Sequence, residues 1–308
     1  MTRFHYPAGV AGTPRWPVAL PPGTALTHAG LYVVDLDANL PSPIPTGRWE
    51  SLVIPLNGGP LIVSHPTGDL HLTGRPDVWG GPTDTAYLPP GLVCTITSPQ
   101  PGTRVAIACA RVEVATPRPV HRIDPTAVAI ELRGAGAASR QVNGLGMPDV
   151  LDAEALLVCE VLTPSGNWSS YPPHKHDEHL SGRESALEEF YYLVLRAQPG
   201  PRQGERDHDA VGYLRVAGNP GRPVDLVLEV RTGDVVAVPF GWHGPAMAPP
   251  GYDMYYLNVM AGPGPERQWL IRDEPSHEWV RGSWIGAHPD PRLPFGSVPA
   301  AQSTRRTR

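Results

Sequence analysis

The stretch Tyr171-Pro172-Pro173-His174-Lys175-His176-Asp177 decides how this chain is read. Two later pieces answer it: Glu188-Glu189-Phe190-Tyr191-Tyr192 and Gly233-Asp234-Val235-Val236-Ala237-Val238-Pro239-Phe240-Gly241-Trp242-His243. In an extended strand alternate side chains share a face, so His174 and His176 point one way and Lys175 the other. Two imidazoles on one face, a carboxylate entering a neighbouring strand and a third imidazole after a Gly/Pro turn can surround one divalent ion. His174, His176, Glu189 and His243 are therefore the candidate metal ligands. The pattern predicts a metal site in a β-barrel.

Composition supports the β reading. The 308 residues allow one large domain or two of ordinary size, and 41% hydrophobic content is enough for real cores. The 33 glycines and 39 prolines disfavour long helices and suit short strands with frequent turns. A formal charge of -5 with no basic stripe argues against a nucleic-acid partner. The locally basic end Arg305-Arg306-Thr307-Arg308 reads as a frayed, solvated terminus. Cys94, Cys109 and Cys159 lack metal-type spacing and read as buried thiols in a reducing compartment. The first residues lack the apolar core of a signal peptide, and no apolar run reaches the roughly 18 residues of a membrane helix. A soluble cytoplasmic protein with no membrane partner is expected.

Along the chain, residues 1–27 read as a proline-punctuated arm. Strand-like pieces such as Leu31-Tyr32-Val33-Val34, Ser51-Leu52-Val53-Ile54 and Arg104-Val105-Ala106-Ile107 then follow to about residue 120. A connecting segment, 116–149, leads to a second half with the same rhythm. Thr85-Ala86-Tyr87-Leu88-Pro89-Pro90-Gly91 and Val236-Ala237-Val238-Pro239-Phe240-Gly241 are parallel phrases, which suggests a duplicated barrel. The expected division is residues 1–135, a barrel without a metal site, and 136–308, a barrel with one. A tail from about 262 packs across one barrel.

Other polar residues have plainer readings. His179 and His208 lie in polar loops and read as surface groups. His65 and His71 flank a turn, and with His28 they form no ligand pattern. Glu188 alternates away from Glu189 and reads as solvated. His277 and His288 sit in the Trp-rich tail. Tyr171, Tyr192, Tyr256 and Asn258 read first as core or hydrogen-bonding groups, with Asn258 the best substrate contact because an amide inside a barrel needs a polar partner.

The ordered set His-x-His, Glu before a strand, then Gly-(x5)-Pro-x-Gly and His resembles the cupin superfamily. Twelve residues separate His176 from Glu189, more than in the short cupin motif, and His243 comes one residue early; a longer hairpin and a tighter turn accommodate both. Asn167-Trp168-Ser169-Ser170 through Asp177, Leu187-Glu188-Glu189 before Tyr191-Tyr192, and Tyr255-Tyr256-Leu257-Asn258-Val259-Met260-Ala261-Gly262-Pro263 resemble a narrower family. It is that of the 5-deoxy-glucuronate isomerases of myo-inositol catabolism, related to 4-deoxy-threo-hexosulose-uronate ketol-isomerases. The resemblance implies an all-β bicupin with two jelly-roll barrels. It implies one divalent ion, zinc or manganese, in the second barrel, held by His174, His176, Glu189 and His243. It also implies aldose–ketose isomerisation of a small uronate, with Glu189, Tyr192 and Asn258 as candidate catalytic residues. A metal-bound hydroxide, Glu189 or a nearby tyrosine could be the base. Arg183, Arg196 and Arg215 are candidate partners for the substrate carboxylate. The first barrel would be structural, supporting the second or a homo-oligomer interface. The rivals are a cupin Fe(II) dioxygenase and a non-enzymatic uronate-binding cupin.

Overall fold

The computed structural model describes residues 3–45, 47–113, 116–200, 203–296 and the backbone of 305–307. The described chain is mostly β, and Gln203–Asp207 is its one α-helix. No helix is long and apolar enough to cross a membrane among the described residues.

Four sheets carry the architecture. A six-stranded sheet runs in the order His121–Ile123, Thr85–Leu88, Trp49–Asn57, Thr103–Arg111, Ala29–Leu36, Val18–Leu20. A four-stranded sheet of Ser42–Ile44, Cys94–Thr97, Leu61–His65 and Gly68–Leu72 packs on one of its faces through Val34, Val53, Leu61, Val63 and Ile107. In the second half, an eight-stranded sheet is centred on Glu188–Ala197, Tyr252–Ala261 and Leu157–Thr163. Its partner sheet contains Arg222–Val230, Gly212–Asn219, Trp242–Met247, His174–Lys175 and Arg272–Asp273. The core between those two includes Tyr191, Leu193, Leu214, Val216 and Tyr256.

A third core lies between the two large sheets. Leu52, Ile54 and Ala108 from the first half meet Phe190, Tyr192 and Leu257 from the second. Both large sheets are therefore covered on both faces, which explains why their strands read as continuous apolar runs and not as alternating ones. Each large apolar side chain sealed there contributes about 1.5–3 kcal/mol by leaving water.

Several expectations need correction. The amino-terminal arm is partly built into sheets: His5–Tyr6 pairs with Val235–Val236 at the edge of the eight-stranded sheet, and Val18–Leu20 joins the six-stranded one. Sheet membership changes between Ile123 and Ile130, ahead of residue 135, because Ile130–Arg133 forms a hairpin with Arg140–Asn143 in the second half. The backbone of Arg305–Thr307 pairs in parallel with Glu131–Arg133, where a frayed end was expected; Arg308 lies outside the described residues. In the tail, Arg272–Asp273 joins the sheet beside His174–Lys175, and Phe295 packs against the ring of Trp79 at 5.7 Å. All three cysteines are buried and unbridged, as expected.

Buried carboxylates join the halves. Glu50, fully buried in the first half, accepts the backbone N–H groups of Glu154, Ala155 and Leu156 at 2.7–2.9 Å. Glu160, in the second, receives two bonds from Arg75 at 3.0 and 2.8 Å, plus Asn143 and the hydroxyl of Tyr255. Glu188, expected to be solvated, instead accepts the backbone N–H of His28 at 2.8 Å. Removing one member of a buried pair strands the other, so Arg75→Met should destabilise the protein by about 3–5 kcal/mol, and Arg75→Met with Glu160→Leu should recover part of that loss. Urea unfolding reads both. A single variant within about 1 kcal/mol of the parent would show that the pair does not join the halves.

Candidate metal centre

Register brings the ligands together. His174 pairs directly with His243 across adjacent strands. Glu189 is the second residue of the facing strand Glu188–Ala197, on the face that also carries Tyr191 and Leu193. The twelve residues between His176 and Glu189 contain the hairpin Asp177–Leu180 with Glu184–Ala186, as the spacing suggested. Gly244 follows His243 with φ 97°, and a Cβ there would sit 1.9 Å from the carbonyl oxygen of Ser170. Only glycine lets the His243 strand lie this close to the segment leading into His174.

One nitrogen from each of His174, His176 and His243 lies within 4.8 Å of the others, and all three rings are buried. The Nδ1 atoms face backbone carbonyls: Pro172 at 3.4 Å from His174, Leu187 at 3.2 Å from His176, and Gly241 at 3.0 Å from His243. A ring that donates from Nδ1 presents a lone pair at Nε2, the arrangement metal-binding imidazoles use. The Nε2 atoms of His176 and His243 lie 3.3 and 3.2 Å from the two oxygens of Glu189. Among the described residues none of these four buried atoms has a hydrogen-bond partner. With the rings neutral, lone pairs face lone pairs and repel, and a cation among them, a proton or a metal ion, removes the conflict. The donor set fits a divalent ion.

The electrostatics agree. Burial pushes the Glu189 carboxyl up, but the His243 and His176 rings outweigh it and hold Glu189 well below the usual carboxylate range. Burial, with the neighbouring imidazoles adding to it, lowers His174 well below its ordinary value and lowers His243 as well. Burial also opposes the charge on His176, yet its contact with Glu189 raises it.

Lys175 does point away from the imidazoles, but it is buried. Its Nζ lies 2.6–2.9 Å from Asp177, Glu178 and Glu184. Those carboxylates form a second acidic cluster, and a lysine already supplies its cation. The ion pairs hold the strand that presents His174 and His176 from behind.

A cavity of about 170 Å³ reaches His174, with Ser170, Tyr256, Asn258, Arg140 and Trp284 in its wall. Asn258 is buried there, and among the described residues its Oδ1 has no hydrogen-bond partner. Tyr256 contacts the hydroxyls of Ser170 and Ser169 at 3.0 and 3.2 Å. The expectation for Tyr192 does not survive: it packs on the opposite face of its strand, in the core between the two large sheets. Tyr191 shares the Glu189 face, with its ring 6.4 Å from that of His243; the two-residue strand period, counted from Glu189, identifies it. Arg183 is exposed, Arg196 pairs with Asp253, and Arg215 pairs with Glu274, so none of the three lines the cavity. Arg140, which does, went unnoticed. His71, His179, His208 and His288 are exposed, while His65 and His277 are half-buried.

The model of the KduI/IolB family matches residues 6–280. A 5-deoxy-glucuronate isomerase of Geobacillus thermodenitrificans is 46% identical over 170 residues, 55% of this chain and 56% of that protein, so the chain spans about half the length of that relative. The enzyme of the same name from Shouchella clausii is 37% identical over 257 residues, 83% of this chain and 88% of that protein. An IolB-like protein from Salmonella typhimurium superposes with a TM-score of 0.78 at 30% identity, covering 91% of this chain and 99% of that one. The Lactobacillus farciminis oxalate decarboxylase, 8% identical with a TM-score of 0.60 over 89% of each chain, shares the fold alone. The family match spans nearly the whole described chain, both sheet pairs and all four candidate ligands. The chain belongs to the KduI/IolB family.

Proposed function

We propose that this chain is a metal-dependent aldose–ketose isomerase that converts 5-deoxy-D-glucuronate to 5-dehydro-2-deoxy-D-gluconate in cytoplasmic inositol catabolism. Its sheet pairs are then two cupin barrels, with the ion in the second. The carrying observation is the set of buried, partnerless imidazole and carboxylate atoms in a chain whose relatives are named for this reaction. His174, His176, Glu189 and His243 would hold one zinc or manganese ion, and a bound ion would supply Lewis-acid polarisation of the aldehyde carbonyl.

The remaining groups bind and orient. The Asn258 carbonyl can accept a hydrogen bond from a substrate hydroxyl, which would satisfy an oxygen otherwise orphaned by burial. Burial raises the Tyr256 hydroxyl to about 12, against the pull of Ser169 and Ser170, so it stays protonated at neutral pH and donates instead of acting as a base. Glu189 faces an imidazole nitrogen with each oxygen, which favours a fixed ligand over a mobile base.

Metal analysis of purified protein should find about one divalent ion per chain. His243→Ala should lose the ion and nearly all turnover while the barrels stay folded, whereas His179→Ala should keep both. Retained metal in the first variant, or lost metal in the second, overturns the ligand assignment.

The reaction itself moves a proton from C2 to C1 and consumes no oxidant. Turnover of 5-deoxy-D-glucuronate should run under argon, stop with chelator and return with added divalent ion. In heavy water the product should carry deuterium at its new hydroxymethyl carbon. Oxygen uptake matching substrate loss would point to a dioxygenase. Tight uronate binding without conversion in metal-replete protein would point to a binding protein.

A further inference from the structure

Arg140 is a buried cation without a counter-ion among the described residues. It lies in the strand Arg140–Asn143 and is 7% exposed. Its Nη1 donates to the carbonyls of Ala138 and Tyr171 at 3.1 and 3.4 Å, and among the described residues Nε and Nη2 make no hydrogen bond. The other buried arginine of the core, Arg75, is matched by Glu160. The two arginines beside Arg140 are also matched: Arg133 with Glu131 at 2.8 Å, and Arg281 with Asp273 at 2.7 Å. Among the described residues no carboxylate pairs with Arg140.

An unpaired buried charge costs several kcal/mol, and folded proteins retain one chiefly where something else neutralises it. Burial, reinforced by Arg133 and Arg281, pushes the Arg140 guanidinium down to about 10, so it remains charged at neutral pH. The ring of Trp284, 5.6 Å from the guanidinium carbon, holds it from one side. The group also lines the same cavity as His174 and Asn258.

We propose that Arg140 binds the carboxylate of the substrate and makes this cavity selective for aldoses that bear an acid at the end remote from the aldehyde. A guanidinium fork matches a carboxylate through two parallel N–H bonds. With Arg133 and Arg281 already neutralised, one positive charge is left over, which matches a monoanion better than a phosphate ester of charge near two. The carboxylate subsite stands on geometry alone; the orientation, with the aldehyde toward the imidazoles, rests on the isomerase reading.

The test uses metal-reconstituted wild type, Arg140→Met and Arg140→Lys. Metal content and the melting curve of the unliganded protein are checked first. With 5-deoxy-D-glucuronate, Arg140→Met should raise KM by about 100-fold or more, and Arg140→Lys, which keeps the charge but loses the fork, by about 10-fold. Activity on the neutral 6-hydroxy counterpart, 5-deoxy-D-glucose, should be similar in all three. A KM for the uronate within about threefold of wild type in Arg140→Met, or an equal loss on the neutral sugar, overturns the proposal. If Arg140→Met fails to fold, the lysine variant decides by the same comparison. A second readout needs no turnover: D-glucuronate should raise the melting temperature of wild type more than D-glucose does, and this preference should vanish without Arg140. Were wild type inactive yet to show that preference, the isomerase reading would fall and the carboxylate subsite would stand. Absence of the preference in wild type, or its persistence in the methionine variant, overturns the subsite whatever the activity.

Discussion

A carboxylate sealed inside a β-sheet core must be compensated, and Glu189 is one of the two poles around which this structure is arranged. It is fully buried, on a strand whose other face is occupied by Phe190 and Tyr192 in the core between the large sheets. That strand cannot rotate or slip to expose it, because a one-residue shift would put the carboxylate into hydrocarbon. The compensation comes from His243 in the partner sheet and from His176 just past the strand His174–Lys175, both aimed by hydrogen bonds to backbone carbonyls. The second pole is the acid cluster around Lys175, which fixes from outside the short strand that His174 shares. Ligands drawn from three strands and a loop thus keep one geometry without any of them being able to move alone.

The first half contributes to that rigidity through the joints it makes. Glu50 holds the chain at 154–156, just before the strand Leu157–Thr163. That strand pairs with Tyr252–Ala261, which carries Tyr256 and Asn258 into the cavity wall. Arg75 neutralises Glu160 in the middle of the same strand. On its other edge, Leu157–Thr163 pairs with Arg140–Asn143, the strand of the unpaired arginine. The apolar contact between the large sheets supplies most of the cohesion, while the carboxylate joints set the register in which the halves meet.

The candidate metal ligands were legible in the sequence because each sits in a local pattern of fixed meaning: alternate residues along an extended segment, a residue before an apolar run, a residue after a Gly/Pro turn. The sheet class was legible for the same reason. Tyr192 read first as a core residue and lies in the core; its second reading as a catalytic candidate fails because strand parity puts Tyr191, and not Tyr192, on the Glu189 face. Glu188 was read as solvated, and the burial of Lys175 was missed, because alternation tells which face a residue takes and not whether another layer covers that face. Arg140 was invisible for a different reason. What distinguishes it is the absence of an acidic partner among residues distant in sequence, and no local pattern records an absence. Chain exchange at the edges, His5–Tyr6 above all, was equally hidden, since two residues in a proline-rich arm carry no periodicity.

The central claim is that three imidazoles and one carboxylate enclose a single ion. X-ray diffraction from crystals of metal-reconstituted protein, collected across the absorption edge of the added zinc or manganese, tests it directly. The account predicts one anomalous peak bonded to His174, His176, Glu189 and His243 at about 2.0–2.2 Å. A peak among Asp177, Glu178 and Glu184 in their place, or a ligand set that leaves out Glu189, would contradict it.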